Sequence, residues 1–308
     1  MSPLTVAVVT PTLNQAGFIR ETIDSVLGQG YPGLEYRVMD GGSTDGTLEI
    51  LQSYGSALCY HSGPDAGQSD AINRGWRDTT GEIVAWLNSD DLYLPGALQR
   101  VADFFEGHPE VDLAYGDCKL IDAAGRETGR YPAQPFDYAT LLRSAVNYIP
   151  QPAAFFRRRL LDEVGELDPG LHYTMDFDYW LRAGLRHQAA YLPIPLASLR
   201  LHGGAKSAAD FGKFSAELVR TYTKLFAMPD LPPGAHCLES EAMSSVYYLA
   251  ADGAFWAGQL GQARAWARQS LQSKPRVRSL WLWLALGRPG RWMAGKLYPN
   301  PYLPGGVR

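Results

Sequence analysis

The chain has 308 residues, enough for one large or two modest domains with real cores. Hydrophobic residues make up 46% and charged residues 19%, which excludes a disordered chain, and a net charge of −4 without a basic block argues against nucleic acid as the main partner. The cysteines Cys59, Cys118 and Cys237 are far apart and odd in number, which argues against a disulfide framework and for a reducing compartment.

TVAVVT (5–10) is β-branched and reads as a first strand closing on Pro11. With no basic region before it and a proline inside, LTVAVVTPTL does not read as a secretory signal. Phe18, Ile19, Ile23, Val26 and Leu27 suit an amphipathic helix over 15–28. LEYRVMD (34–40) is a second strand ending on Asp40, and Thr44 to Thr47 offer a cap for a helix over 46–54. SALCYH (56–61) is a short third strand, 66–78 a helix, and EIVAWLN (82–88) a fourth strand, after which Pro95 opens a helix to about 107. Strands and helices alternating at these lengths imply a parallel sheet covered on both faces, with ligands bound beyond the carboxyl ends of its strands. The polar groups at Thr10, Pro11 and Thr12, at Asp40 and Gly41, at 61–68 and at 88–91 therefore gather at one edge.

Beyond residue 110 the pattern loosens. VDLAYGDCKLID (111–122) reads as a bent hairpin or two strands, QPAAFFRR (151–158) as a strand, 174–184 as a helix, and 187–202 as a strand broken by two prolines. From about 207 the chain turns helical, breaks at the proline-rich 229–235, and continues into one tetratricopeptide-like hairpin with Trp256, Leu260, Ala263 and Ala267 on one face and Pro275 as the stop. A single such unit builds no solenoid; it packs on the body of the chain, a second copy as a homodimer, or a membrane surface. No run reaches the roughly 18 apolar residues of a membrane span, so the expected location is cytoplasmic, with the aromatic and basic 276–298 either packed in the hairpin or resting on a membrane interface.

Asp90 and Asp91 leave what reads as a buried strand, which costs free energy unless they meet a cation or hydrogen-bond donors. Mg²⁺ or Mn²⁺ takes such oxygens and shares substrate phosphates; capping of the next helix is the plainer alternative. Asp40, followed by Gly41 and Gly42, can accept from a base N–H or simply close a turn on its own backbone. Gln68, Asp70, Asn73 and Arg74 form a polar helix face that could equally be solvated.

The run from VVTPTLNQAGF to MDGGSTDGT, then DAGQSDAINRGWRDTTGEIVAWLNSDDLYLPGAL, resembles the N-terminal half of the family 2 glycosyltransferases, densely over 5–105 and more thinly through 151–184. The resemblance implies a GT-A type α/β fold, a mostly parallel twisted sheet flanked by helices, with a C-terminal helical extension. It implies a nucleotide-sugar-binding half at 1–105, an acceptor and catalytic half at 106–228, and a helical region at 236–308. It further implies inverting transfer of a sugar from a nucleotide donor, UDP-linked preferred and dTDP-linked possible. The hydroxyl acceptor is open among a lipid-linked glycan, a polysaccharide end, a protein and a small molecule, with a lipid-linked glycan preferred because 276–298 could sit at a membrane interface. Thr10, Pro11 and Thr12 would border the base, Asp40 with Gly41 would read it, Gln68 and Asn73 would line the donor, and Asp90 would hold ribose or diphosphate. Asp91 would ligate Mn²⁺ or Mg²⁺, joined by His202 from the LRLHGGAKS loop. The family often has Asp where Asn88 stands, and many members carry Glu-Asp where this chain has Met175-Asp176, which leaves Asp176 as the base. Asp178 points about 200° away on a helix and suits first-turn dipole complementation, while Trp180 and Arg182 suit packing. The segment 203–214 is a candidate lid, with Lys206 inside it.

Two other readings remain open at this level. A sugar-1-phosphate nucleotidyltransferase is disfavoured because TPTLNQAGF has no Lys or Arg to hold a triphosphate. A catalytically impaired, GT-A-like binding protein is suggested by Met175 and opposed by the presence together of Asp40, Asp90, Asp91 and Asp176.

Overall fold

The computed structural model describes residues 3–203, 211–280 and 283. They divide into two compact units: residues up to 136 with 147–201, and residues 137–146 with those from 202 onward.

The first unit is built on a nine-stranded sheet, ordered β3-β2-β1-β4-β8-β6-β9-β5 with β7 added beside β6. The strands are β1 (Val6–Thr12), β2 (Leu34–Asp40), β3 (Cys59–Ser62), β4 (Ile83–Trp86), β5 (Leu92–Tyr93), β6 (Leu113–Ile121), β7 (Glu127–Arg130), β8 (Ala154–Arg157) and β9 (Ala189–Arg200). β1 to β4 pair in parallel, as expected from the sequence. β8 is antiparallel to both β4 and β6, and β6 and β9 are parallel to each other.

The central strands are buried on both faces, which is why they read as unbroken apolar runs. Val6, Val8, Ile83 and Ala85 face a core shared with Ile19, Ile23 and Val26 of helix α1 (Ile19–Leu27). On the opposite face, Val9 meets helix α3 (Gln68–Arg77), which follows the short α2 (Thr47–Ser53). A Cβ at Gly75 would stand 2.5 Å from Val9 Cγ1, so only glycine lets α3 lie this close to the sheet. This second face is aromatic. Trp76 of α3, Trp86 of β4, Phe156 of β8, and Tyr179 and Trp180 of α7 (Met175–Ala183) interlock with ring centroids 5.3–6.5 Å apart. Trp180 stacks on Trp86 at 5.5 Å, which fixes the helix carrying Asp176 against the strand that leads to Asp90 and Asp91.

Several elements differ from their sequence expectations, each for a physical reason. β1 runs through Pro11 to Thr12. Its pairing with β4 ends at Val9 and Trp86, with the Leu87 N–H donating to the Val9 carbonyl, so the N–H that Pro11 lacks would face a side where the ladder has already stopped. Residues 113–121 form one strand, and the hairpin turn comes later, before β7. β9 is continuous through Pro193 and Pro195 because its register with β6 slips between Gly116 and Cys118, placing the prolines at bulges. Helices α5 (Tyr138–Ser144) and α6 (Arg158–Val164) were not anticipated, while α4 (Ala97–Gly107) was.

The second unit holds α5 together with α8 (Phe211–Phe226), α9 (Pro233–His236), α10 (Glu239–Trp256) and α11 (Leu260–Ser273). The division therefore falls at 202 rather than near 230, and α5 joins the later helices: the Tyr222 hydroxyl donates to the Leu142 carbonyl at 3.1 Å. The α10–α11 hairpin closes over Ala250, Ala251, Ala254, Ala263, Trp266 and Ala267. Trp256, expected on that face, is half-buried, and Trp266 takes its place one helix later.

Candidate active site

Because β1 to β4 are parallel, Thr12, Asp40, Ser62 and the 87–91 turn leave the sheet at one edge. β8 runs the other way, so Gln151, just before it, lies at that edge too; β9 reverses again and delivers Arg200 there. Such an edge is where open α/β sheets bind ligands.

The 88–91 turn is cross-linked from three directions. Gln68 Nε2 donates to Asn88 Oδ1 at 2.7 Å, and Asn88 Nδ2 donates to Gln151 Oε1 at 3.0 Å and to Asp91 Oδ2 at 3.3 Å. Gln151 Nε2 in turn donates to the Trp86 carbonyl at 2.7 Å. The Arg200 amide donates to Asp91 Oδ1 at 2.9 Å, and its buried guanidinium donates to the carbonyls of Asp90 and Ala123 and to Glu21 Oε2. Asp91 is 1% exposed. Burial, and then the neighbouring Asp90 charge, push its carboxyl well above the usual carboxylate range.

These residues fit a divalent cation. The donors to the Asp91 carboxylate are neutral amides, a second carboxylate adjoins it, and hard oxygen ligands of this kind suit Mg²⁺ or Mn²⁺ sharing substrate phosphates. Among the described residues no group of three or more His, Cys, Asp or Glu comes together.

Asp40 is 2% exposed and accepts from the Ser43 hydroxyl on Oδ1 at 2.5 Å and from the Ser62 hydroxyl on Oδ2 at 2.6 Å. The Ser43 backbone N–H also donates to both carboxylate oxygens at 3.2 Å, so the turn-closing role is realised. A Cβ on Gly41 would lie 2.8 Å from Asp65 Oδ2, so a larger residue would displace the Asp65 carboxylate where the two loops meet. Thr10 is tied to Tyr36 across the strands at 3.0 Å, and the buried Thr12 Oγ1 has no hydrogen-bond partner among the described residues.

Asp176 lies in the first turn of α7, half-buried, and accepts from Asn147 Nδ2 at 3.0 Å. The Asn147 amide is oriented from behind: the Ile149 N–H donates to its Oδ1 at 3.1 Å, and Tyr131 donates to its backbone carbonyl at 2.7 Å. Burial pushes the Asp176 carboxyl up to about 6. Asp178 is 3% exposed, lies among the acidic residues of the first turn as expected, and is ion-paired with Arg182 at 2.8 Å. Arg182 also donates to the carbonyls of Val164 and Glu166. Met175 is buried, with the Ser69 hydroxyl 3.0 Å from its sulfur, so the residue departing from the family's Glu-Asp pair is a packing position.

The structure thus joins Gln68, Asn88 and Asp91 directly. Asn73 is corrected: both amide atoms are committed to the Leu167 backbone, donating to its carbonyl at 2.9 Å and accepting from its N–H at 3.0 Å, so it clamps α3 to a loop instead of lining the donor. His202 belongs to the second unit, and the candidate lid with Lys206 falls largely on 204–210, outside the described residues. Sequence reading missed Arg200, Gln151, Asn147 and Tyr131. "LRLH" does signal a polar residue closing a strand, but nothing local links Arg200 to a turn more than a hundred residues away.

The model of Glycosyl transferase family 2 matches residues 7–165. The chain belongs to this family. A PGL/p-HBAD biosynthesis glycosyltransferase of Mycobacterium tuberculosis is 33% identical over 205 residues, covering 64% of this chain and 77% of the relative. An uncharacterized glycosyltransferase of Rickettsia typhi is 32% identical over 192 residues, and the chain spans 58% of that relative's length. Among solved structures, residues 1–349 of S. aureus TarS in complex with UDP-GlcNAc superpose with a TM-score of 0.70 at 17% identity, covering 92% of this chain and 90% of TarS 1–349. The mannosyltransferase PcManGT of Pyrobaculum calidifontis, in complex with GDP-Man and Mn²⁺, gives 0.64 at 22% identity, covering 98% and 83%. The family 2 chain therefore has the GT-A fold, with a helical C-terminal region.

Proposed function

We propose that this chain is an inverting glycosyltransferase that moves a sugar from a nucleotide diphosphate, UDP-linked by preference, to a hydroxyl of a polysaccharide or lipid-linked glycan. The observation that carries the reading is Asp176: a carboxyl held by an oriented amide, its affinity for a proton raised to about 6, at the first turn of a helix anchored to the strand that ends at Asp90 and Asp91. A group with that proton affinity is ionised at neutral pH and basic enough to accept the proton of an attacking hydroxyl. Attack opposite the nucleotide gives inversion through an oxocarbenium-like transition state.

Asp40 and Gly41 receive the base, and Thr12 offers its unpartnered hydroxyl beside them. Gln68 and Asn88 fix the turn that presents Asp90 to the ribose or diphosphate. Asp91 and Asp90 would hold Mn²⁺ or Mg²⁺; when bound, the ion would supply Lewis-acid stabilisation of the leaving diphosphate. Burial of Met175 supports the active reading over the impaired one, because the missing Glu leaves a filled packing site and Asp176 keeps its support.

The test is turnover of a panel of UDP-, dTDP- and GDP-sugars, with the anomeric configuration of the product read by proton NMR. Transfer with inversion that is lost in Asp176→Asn supports the reading. A retained anomer, or full activity in Asp176→Asn, refutes it.

A further inference from the structure

Charge is divided unequally along the chain. Residues 1–252 carry all 32 acidic residues against 19 basic ones, whereas residues 253–308 carry nine Lys or Arg, no Asp or Glu, and five of the eight tryptophans. Such an asymmetry points to an anionic partner for the C-terminal end.

In the described part of that end, a short helical turn follows Pro275 and is pinned to the hairpin by buried serines. Ser279 Oγ meets Ser270 Oγ at 2.8 Å, and Ser270 Oγ donates to the Ser244 carbonyl at 2.7 Å. Ser279 is buried, whereas Val277, Leu280 and Trp283 are 73%, 45% and 43% exposed. Leu280 and Trp283 line a shallow hollow of about 390 Å³ with Arg268, Leu271 and Gln272 of α11. Arg264, one turn before Arg268, is exposed on the same helix. Arg276 and Arg278 are held beside the turn by Ser245, Arg278 lying 4.6 Å from the Tyr248 ring. The acidic Glu241 of α10 is already paired with Lys274.

We infer that this basic, tryptophan-bearing face docks on an anionic lipid surface. An exposed Val, Leu and Trp stripe rimmed by arginines is the composition that lies in a headgroup layer, with Trp at the acyl boundary and Arg toward phosphates. A symmetric second copy fits poorly, since a two-fold contact would set the same arginines against each other. The reading is independent of the proposed transfer chemistry. The described residues contain no helix long and apolar enough to cross a membrane.

The experiment is co-sedimentation of the full chain with phosphatidylcholine vesicles, with and without phosphatidylglycerol. The comparison covers wild type, Leu280→Ser with Trp283→Ser, and the exposed pair Arg264→Glu with Arg268→Glu. Each arginine is worth roughly a five-fold change in partitioning, so the Arg pair should lower binding to phosphatidylglycerol vesicles at least ten-fold, and added salt should act the same way. Unchanged thermal unfolding identifies variants that remain folded. Binding by wild type that ignores phosphatidylglycerol, binding by the folded Arg variant equal to wild type, or no binding at all overturns the proposal. So does a concentration-dependent dimer, seen by sedimentation equilibrium without lipid, that the Leu280 and Trp283 substitutions dissolve.

Discussion

Asp178, in helix α7, and Asp91, in the turn after β4, are both almost fully buried, yet their charges are met differently. Asp178 faces the guanidinium of Arg182, itself held by two backbone carbonyls, a closed ion pair. Asp91 receives a backbone amide and the Asn88 side chain, with a second carboxylate beside it and the nearby Arg200 guanidinium directed at carbonyls and Glu21. One buried carboxylate is compensated within the chain by a cation; the other is met by neutral amide donors beside a second carboxylate. Asp176 is a third kind, less buried than either, held by a neutral amide and left able to exchange a proton.

The sharpest way to break this distinction is at the base. Asp176→Asn keeps the Asn147 contact geometry but cannot accept a proton, and transfer should fall by about 10²–10⁴-fold while nucleotide affinity holds within a few-fold; a loss of nucleotide binding instead would move Asp176 into the donor site. Next, Asp178→Ala leaves Arg182 buried without its counter-charge, and urea unfolding should show a loss of about 3–5 kcal/mol, against little change in the activity of the folded fraction at low temperature.

A smaller effect separates Asp91 from Asp178. Saturating Mn²⁺ should raise the stability of wild type by about 2.7 kcal/mol at a hundred times its dissociation constant and leave Asp91→Asn unmoved. Without metal, the raised Asp91 carboxyl means that the folded chain binds more protons than the unfolded chain between the ordinary carboxylate value and its own. Stability therefore falls as pH rises through that window, and Asp91→Asn should reduce the dependence to the part that Asp176, also raised, carries. The smallest effect concerns the amide behind the base. Asn147→Ala removes a donor that favours the ionised carboxylate, so the acid limb of kcat/KM, expected near 6 in wild type, should move to higher pH, with a loss of about five-fold at neutral pH.

What the sequence disclosed was local. The apolar runs of β1, β2 and β4 and the polar residues that end them follow from period and punctuation, so the carboxyl edge with Thr12, Asp40 and Asp91 was legible before any coordinates. The family resemblance supplied Asp176, and the structure supplied what holds it. Asn147, Gln151 and Arg200 escaped because their partners are 29, 63 and 109 residues away, and an isolated polar residue carries no sign of such contacts. Asn73 misled for the converse reason: on a helix facing the cleft it reads as a ligand contact, and only the fold shows its amide engaged with Leu167. α6 was hidden in the end of a strand pattern because RRRLLDEV follows β8 without a turn residue between them.

The central claim is that Asp91 awaits a metal-bound nucleotide. Calorimetric titration of UDP into wild type and Asp91→Asn, each with and without Mn²⁺, tests it directly. The account predicts binding to wild type that requires Mn²⁺ and disappears in Asp91→Asn. Equal binding by the two proteins, or no binding by folded wild type to UDP, dTDP or GDP under either condition, would contradict it.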